Sequence, residues 1–169
     1  MILFFVGMPG CGKSTTGRGF ADITGIPFLD LDQMIEKSEQ EKISKIFETR
    51  GEEYFRDIET KKLESLKFLE DDLIVSTGGG TPCYNGNLEL MQQMGLLVFL
   101  DPPLAALEER VSNTEDRPLL ENGDVRKKLE DLYADRLPYY RQSDYRFSSL
   151  KIDLENLKHR LRNQLEYKS

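Results

Sequence analysis

Short unbroken apolar runs alternate along the chain with longer stretches in which apolar residues recur every three or four positions. The runs fall at residues 2–6, 27–29, 73–75, 96–100 and, more weakly, 145–147. They are continuous rather than alternating, which predicts strands buried on both faces of a sheet. Helical period marks residues 13–24, 32–50 in two pieces, 52–69, 85–94, 104–111, 125–137 and 154–167. The last is regular, with Leu154, Leu157, Leu161 and Leu165 on one face. Strands alternating with helices predict βαβ units around a mostly parallel sheet, an α/β fold. Residues 112–124 interrupt the alternation with Asn, Thr, Glu, Asp, Pro and Gly. A long polar connection in a compact domain reads as a mobile lid or binding loop.

Composition narrows the partners. The 169 residues predict one domain, free of repeats, low-complexity tracts and linkers. Hydrophobic residues make up 38% and charged ones 31%, enough to bury a single core and too ordered a mixture for disorder. A net charge of −7 repels nucleic-acid backbones and anionic lipid. It also disfavours small anionic substrates unless Arg and Lys gather locally to meet them. No apolar run reaches the roughly 18 residues needed to span a bilayer, and residues 1–6 are too short for a signal peptide's core. Cys11 and Cys83 supply neither a disulfide framework nor metal-ligand spacing. A cytoplasmic protein is expected.

The sharpest chemistry lies after the first run. Gly7-Met-Pro-Gly10-Cys-Gly12-Lys13-Ser14 matches G-x-x-x-x-G-K-[ST] at every fixed position, between a strand and a helix as the phosphate-binding P-loop requires. Its glycines let successive backbone N–H groups turn toward phosphate oxygens, and the helix N-terminus adds partial positive charge. Lys13 supplies a point charge for the β- and γ-phosphates, and the Ser14 hydroxyl can ligate Mg²⁺. Gly17 and Gly19 follow inside the helix, where close packing on the sheet is the simplest reason for them. The chain is therefore expected to bind a nucleoside triphosphate, either to hydrolyse it or to transfer its phosphoryl group.

Other residues bear on that choice. The run 96–100 ends in Asp101, a candidate second metal anchor, but Pro102 and Pro103 follow at once and favour its use as a helix-entry cap. The run 73–75 ends in Ser76-Thr77-Gly78-Gly79-Gly80, where three glycines either clear space for a ligand or only fill a turn. Asp30 and Asp32 follow the second run; one can face a metal and the other a reacting hydroxyl, and helix capping by Asp32 accounts for the spacing equally well. Arg136 shares an apolar helical stripe with Val125, Leu129 and Leu132. A guanidinium there is costly unless it meets a carboxylate or phosphate. Arg56 lies beside aromatic Tyr54 and Phe55, with Glu59 one turn on to hold it. Structural ion pairs would also account for both. Arg117 falls in the polar stretch, as a solvated residue or as a charge closing over phosphates.

Together these segments resemble the shikimate kinase family. Residues 7–15, Asp30-Leu-Asp32, Phe55-Arg56-Asp-Ile-Glu59, Ser76-Thr-Gly-Gly-Gly80, Arg117-Pro-Leu-Leu120 and Arg136-x-Pro-Tyr139 occur in the family's order and near its spacing, over about residues 1–150. The resemblance implies the nucleoside monophosphate kinase fold: a three-layer α/β/α sandwich with a five-stranded parallel sheet in the order 2-3-1-4-5. It implies one domain over 1–169, with an acceptor-binding segment at about 32–60 and a lid at about 112–124. The implied reaction moves the γ-phosphate of ATP to the 3-hydroxyl of shikimate, with Mg²⁺ as cofactor, in a cytoplasmic monomer that binds neither nucleic acid nor membrane.

The residue roles it implies follow the same segments. Gly10, Cys11, Gly12, Lys13, Ser14 and Thr15 would bind ATP, with Arg110 against the adenine and Arg117 reaching over from the lid. Lys13, Asp32 and Arg117 would be catalytic, Asp32 orienting or deprotonating the attacking hydroxyl. Arg56 and Arg136 would clamp the acceptor's carboxylate, Glu59 would position Arg56, and Gly78, Gly79 and Gly80 would wall the pocket. Ser14 would hold Mg²⁺ directly and Asp30 through water, leaving Asp101 structural. Residues 148–153 lack the Arg or Pro often found in the family's adenine loop, so no contact is assigned there. Cys83 is expected to pack near the acceptor pocket and His159 to be solvated. Gluconate and nucleoside monophosphate kinases of the same fold, or a non-catalytic nucleotide-binding module, are the rival readings.

Overall fold

The computed structural model describes residues 1–112, 125–149 and 151–165. Five strands, β1 Ile2–Val6, β2 Phe28–Asp30, β3 Leu73–Ser76, β4 Gly95–Leu100 and β5 Tyr145–Phe147, form one sheet in the order β2-β3-β1-β4-β5. Every pairing is parallel. All five residues of β1 are buried. Successive strand side chains point to opposite faces, so both faces must be covered, and the architecture is the expected α/β/α sandwich.

The helices among the described residues are α1 Lys13–Thr24, α2 Leu31–Glu39, α3 Ile43–Ser65, α4 Asn87–Met94, α5 Leu104–Ser112, α6 Val125–Tyr140 and α7 Leu154–Leu165. Short 3-10 turns cover Leu66–Phe68 and Thr81–Cys83. Among the described residues, no helix is long and apolar enough to cross a membrane.

Helix α1 lies very close to its neighbours. A Cβ on Gly17 would sit 2.5 Å from the Phe28 ring, and one on Gly19 would sit 2.9 Å from Leu154 of α7. The two glycines cost about 1 kcal/mol each relative to Ala within a helix, and this double contact is what they permit. In α7, Leu157 and Leu161 are buried and His159 is exposed, as its period predicts.

Three boundaries depart from expectation, each for a local reason. Strand β2 runs to Asp30 and α2 starts at Leu31, so the capping residue is Asp30: its Oδ1 accepts from the Gln33 backbone N–H at 3.2 Å. Asp32 falls in the first turn instead and is released from the capping role. Helix α3 is broken at Gly51 (φ 84°, ψ 171°), where the sequence divides two helical pieces, so this division agrees with expectation. Arg50 bridges that break, bonding Glu39 at 2.9 Å, Glu41 at 3.2 Å and the Tyr54 hydroxyl. Helix α4 begins at Asn87 rather than 85 because Asn85 and Gly86 are left-handed (φ 52° and 71°). Helix α6 passes through Pro138 to Tyr140 instead of stopping at 137. The lost backbone bond is offset by Tyr140, which is fully buried, packs its ring 5.0 Å from Phe99 and donates to the Gly79 carbonyl at 2.6 Å.

The register decides where ligands can sit. Ser76 pairs with Phe5 on one side and Asp30 on the other, so β1, β2 and β3 end in line. Ligands of open α/β sheets bind outside those carboxyl ends.

Candidate active site

Beyond β1 the backbone curls through Gly10 (φ 80°) and Gly12 (φ 99°), conformations that side-chain-bearing residues rarely adopt. Gly12 is the N-cap of α1 and offers no side-chain acceptor, and the first turn carries no acidic residue. The leading N–H groups of α1 thus lack both an intrahelical and a side-chain partner, which is an anion site in the making. Lys13 is only 8% exposed and lies along its own loop, with Nζ donating to the Gly7 and Met8 carbonyls at 2.9 Å each. Cys11 is buried beneath it, its Sγ 3.8 Å from Nζ. From α5, Arg110 donates to the Gly10 carbonyl at 3.2 Å and borders the cradle.

A hydroxyl and carboxylate cluster adjoins the cradle. Ser14 Oγ donates to Asp30 Oδ2 at 2.6 Å and lies 3.0 Å from Ser76 Oγ. The strand register explains the trio, since Asp30 and Ser76 are sheet partners at the mouth of the loop. These are hard oxygen donors, suited to Mg²⁺. Among the described residues no group of three His, Cys, Asp or Glu could cage a metal. A Mg²⁺ ion commonly keeps several waters and leans on one or two protein oxygens plus phosphate, so the Ser14–Asp30 pair fits it.

The three glycines after β3 form the wall of a second pocket. A Cβ on Gly78 would lie 3.0 Å from both Asp32 Oδ1 and Glu59 Oε1. One on Gly79 would lie 2.9 Å from Arg136 Nη1 and equally close to Pro9 of the cradle, and one on Gly80 would lie 2.6 Å from Arg56 Nη2. No Cβ is tolerated at any of the three without moving a functional side chain. The wall is therefore a site for close approach rather than turn filler, and it joins directly onto the P-loop.

Two guanidinium groups converge on this wall from different helices. Arg56 is 9% exposed; its Nη1 donates to Glu59 Oε2 at 2.9 Å, while Nε and Nη2 reach Glu52 Oε1 at 3.2 and 3.0 Å. Burial works against its charge, but Glu59 and Glu52 outweigh burial and hold it above its ordinary pKa. The Tyr84 ring stacks 4.0 Å from the guanidinium carbon. Glu59 is completely buried, and its other oxygen accepts from the Thr81 hydroxyl. Arg136 is 7% exposed and forms no ion pair among the described residues. Desolvation of an unpaired guanidinium is expensive, so this position calls for an anion. Cys83 feels both arginines: burial pushes its thiol up to about 11, while Arg136 and Arg56 pull the other way. Burial likewise raises the Tyr140 phenol, keeping it a neutral donor.

Asp101 is structural, holding Arg146 through Oδ2 at 2.8 Å to Nε and accepting from Tyr133 at 3.0 Å. Arg117 and the expected lid, apart from Ser112, lie outside the described residues. The sequence reading missed Ser76, Thr81, Tyr140 and Glu52. Glu52 and Tyr140 were accessible to it, because each sits four residues from a clamp arginine on the same helical face.

Residues 9–165 match the family model described as shikimate kinase. The chain is 41% identical to the shikimate kinase of Persephonella marina over 148 residues, which cover 87% of this chain and 88% of that protein. It is 38% identical to the shikimate kinase of a Sulfurihydrogenibium species over 149 residues, 88% of each. The shikimate kinase from Acinetobacter baumannii, solved in complex with shikimate, superposes with a TM-score of 0.87 at 32% identity, covering 99% of this chain and 94% of that one. A deoxyadenosine kinase from M. mycoides with bound dATP, 16% identical with a TM-score of 0.60 over 98% of this chain and 99% of that one, shares the fold alone.

Proposed function

Because the chain belongs to the shikimate kinase family, we propose that it transfers the γ-phosphate of ATP to the 3-hydroxyl of shikimate through the pocket described above, giving shikimate 3-phosphate and ADP. The observation that carries this assignment is the convergence of Arg56, Arg136 and Asp32 on one glycine wall that also touches the P-loop. An acceptor that bears a carboxylate at one end and hydroxyls at the other fits two guanidinium groups facing one carboxylate.

Each residue then has a distinct task. The cradle from Gly10 to Thr15 binds the triphosphate through backbone N–H groups, with Arg110 bordering the nucleotide. Lys13 leaves its loop carbonyls to neutralise charge that develops on the transferring phosphoryl group. Arg56 and Arg136 fix the acceptor by its carboxylate, and Gly78, Gly79 and Gly80 let the ring approach the backbone. Asp32 accepts the hydrogen bond of the attacking hydroxyl and holds its oxygen in line with the phosphorus. Ser14, and Asp30 through water, would hold Mg²⁺, which when bound would supply positive charge against the phosphates. Residues 32–60 are the acceptor-binding segment. We read the chain as a cytoplasmic monomer, and its net charge of −7 argues against a nucleic-acid or anionic-membrane partner.

Coupled ADP assays with Mg·ATP and shikimate, gluconate or a nucleoside monophosphate test the assignment. Acceptor-dependent ADP release is expected with shikimate only. Turnover of gluconate or a monophosphate instead, or nucleotide binding with no acceptor-dependent ADP, would overturn it.

A further inference from the structure

The two clamp arginines are not in the same condition. Arg136 faces the glycine wall without an ion pair among the described residues, whereas every nitrogen of the Arg56 guanidinium already has a carboxylate partner. A guanidinium binds a carboxylate best through two adjacent nitrogens in one plane. In Arg56 the Nε–Nη2 edge is such a pair, and a single oxygen of Glu52 occupies it.

Glu59 and Glu52 hold Arg56 in unlike ways. Glu59 is fully buried and pinned by Thr81, so it cannot leave without stranding a charge. The Glu52 side chain is 53% exposed and commits one oxygen only. It is also the first residue after the Gly51 break, at the loose start of a helical piece. A rotamer change therefore moves Glu52 into water, and the Nε–Nη2 edge it vacates is left without a partner only until another anion takes its place.

We propose that Glu52 is an internal stand-in for the acceptor's carboxylate: it caps the open edge of Arg56 and is displaced when an anionic acceptor arrives. This rests on the reading of shikimate as acceptor and adds a specificity-determining residue to it. Glu52 keeps the buried guanidinium solvated by charge in the free enzyme, at the expense of competing with the true ligand. A neutral polyol cannot displace it, so Arg56 stays capped and is not offered to such molecules. The net effect is a threshold that only a carboxylate-bearing acceptor crosses.

The test is steady-state kinetics of Glu52→Gln, with shikimate and with its uncharged methyl ester as acceptors. Removing an exposed competing ion pair should lower the KM for shikimate about two- to fivefold, with kcat within about twofold. The KM for the ester should not fall. A raised KM for shikimate would make Glu52 a positioning residue for Arg56, and an unchanged KM, or an equal drop for the ester, would also overturn the proposal. Calorimetric titration of Glu52→Ala with shikimate gives a second readout, in which tighter binding is expected and weaker binding contradicts. If the wild-type protein turns over no shikimate at all, the acceptor reading itself has failed, which is a separate result.

Discussion

Lys13 finds its partners among the carbonyls of its own loop, at Gly7 and Met8, whereas Arg56 and Arg136 come from α3 and α6 and meet only across Gly79 and Gly80. The cradle is made of backbone, and one contiguous motif specifies it. The acceptor pocket is made of side chains on separate elements, and the tertiary fold must assemble it. Phosphate is common to every P-loop protein and needs only N–H groups and a point charge. A particular acceptor must be distinguished from others, and that takes charges set at fixed separations. Damage to the cradle should therefore cost ATP chemistry in general, while damage to the pocket should alter the acceptor's kinetics and spare the nucleotide.

Asp32→Asn gives the largest expected effect. Losing the group that aligns the hydroxyl should lower kcat about 10²- to 10⁴-fold with ATP binding intact, as read by single-turnover kinetics and nucleotide titration. Near-normal turnover would break the comparison. Arg136→Ala should come next, raising the acceptor's KM on the order of ten- to a hundredfold while the KM for ATP stays within about twofold. A parallel loss of ATP affinity would mean that the two regions are not separable.

Gly80→Ala is subtler. Its Cβ would press on Arg56 Nη2 from 2.6 Å, so Arg56 must shift, and kcat/KM for the acceptor should drop on the order of tenfold at nearly unchanged Tm.

One cysteine lies in each region, which offers a chemical probe. Burial raises the Cys83 pKa to about 11, above its unfolded value, so the protonated thiol is favoured in the folded protein. Its contribution to stability is intact at neutral pH and fades as pH rises through about 11. Alkylation at Cys83, followed by peptide mass spectrometry, should be slow at pH 8 and speed up toward pH 11; rapid labelling at pH 8 would contradict this. The smallest effect is expected for Arg146→Ala, which removes the exposed partner of Asp101. It should cost at most about 1 kcal/mol in thermal unfolding and leave the acceptor's KM alone.

The strands and the cradle could be read from the chain because each is encoded locally: unbroken apolar runs for the strands, and eight adjacent residues for the loop. The strand order came only with the resemblance to the shikimate kinase family, since no local run specifies its neighbours. The break at Gly51 was readable for the same reason. Arg136 could be singled out as anomalous on an apolar stripe, but its unpaired condition depends on what α6 meets, and no local rule supplies that. Asp30 and Asp32 show the limit most clearly. A shift of one residue in the helix start moved the cap from Asp32 to Asp30, which caps α2 through one oxygen and takes the Ser14 hydroxyl with the other. Pro138 marked a stop that the buried Tyr140 overrode. Thr81 and Ser76 act through other functional groups, so neither has a signature of its own.

The pairing of Arg56 with Arg136 on a single anion is the claim on which the pocket depends, and a crystal structure with shikimate and Mg·ADP would test it most directly. The acceptor's carboxylate should lie within hydrogen-bonding distance of both guanidinium groups, with Glu52 swung away from Arg56 and a ring hydroxyl on Asp32. A carboxylate bound elsewhere, or held by one arginine while Asp32 faces solvent, would contradict the account.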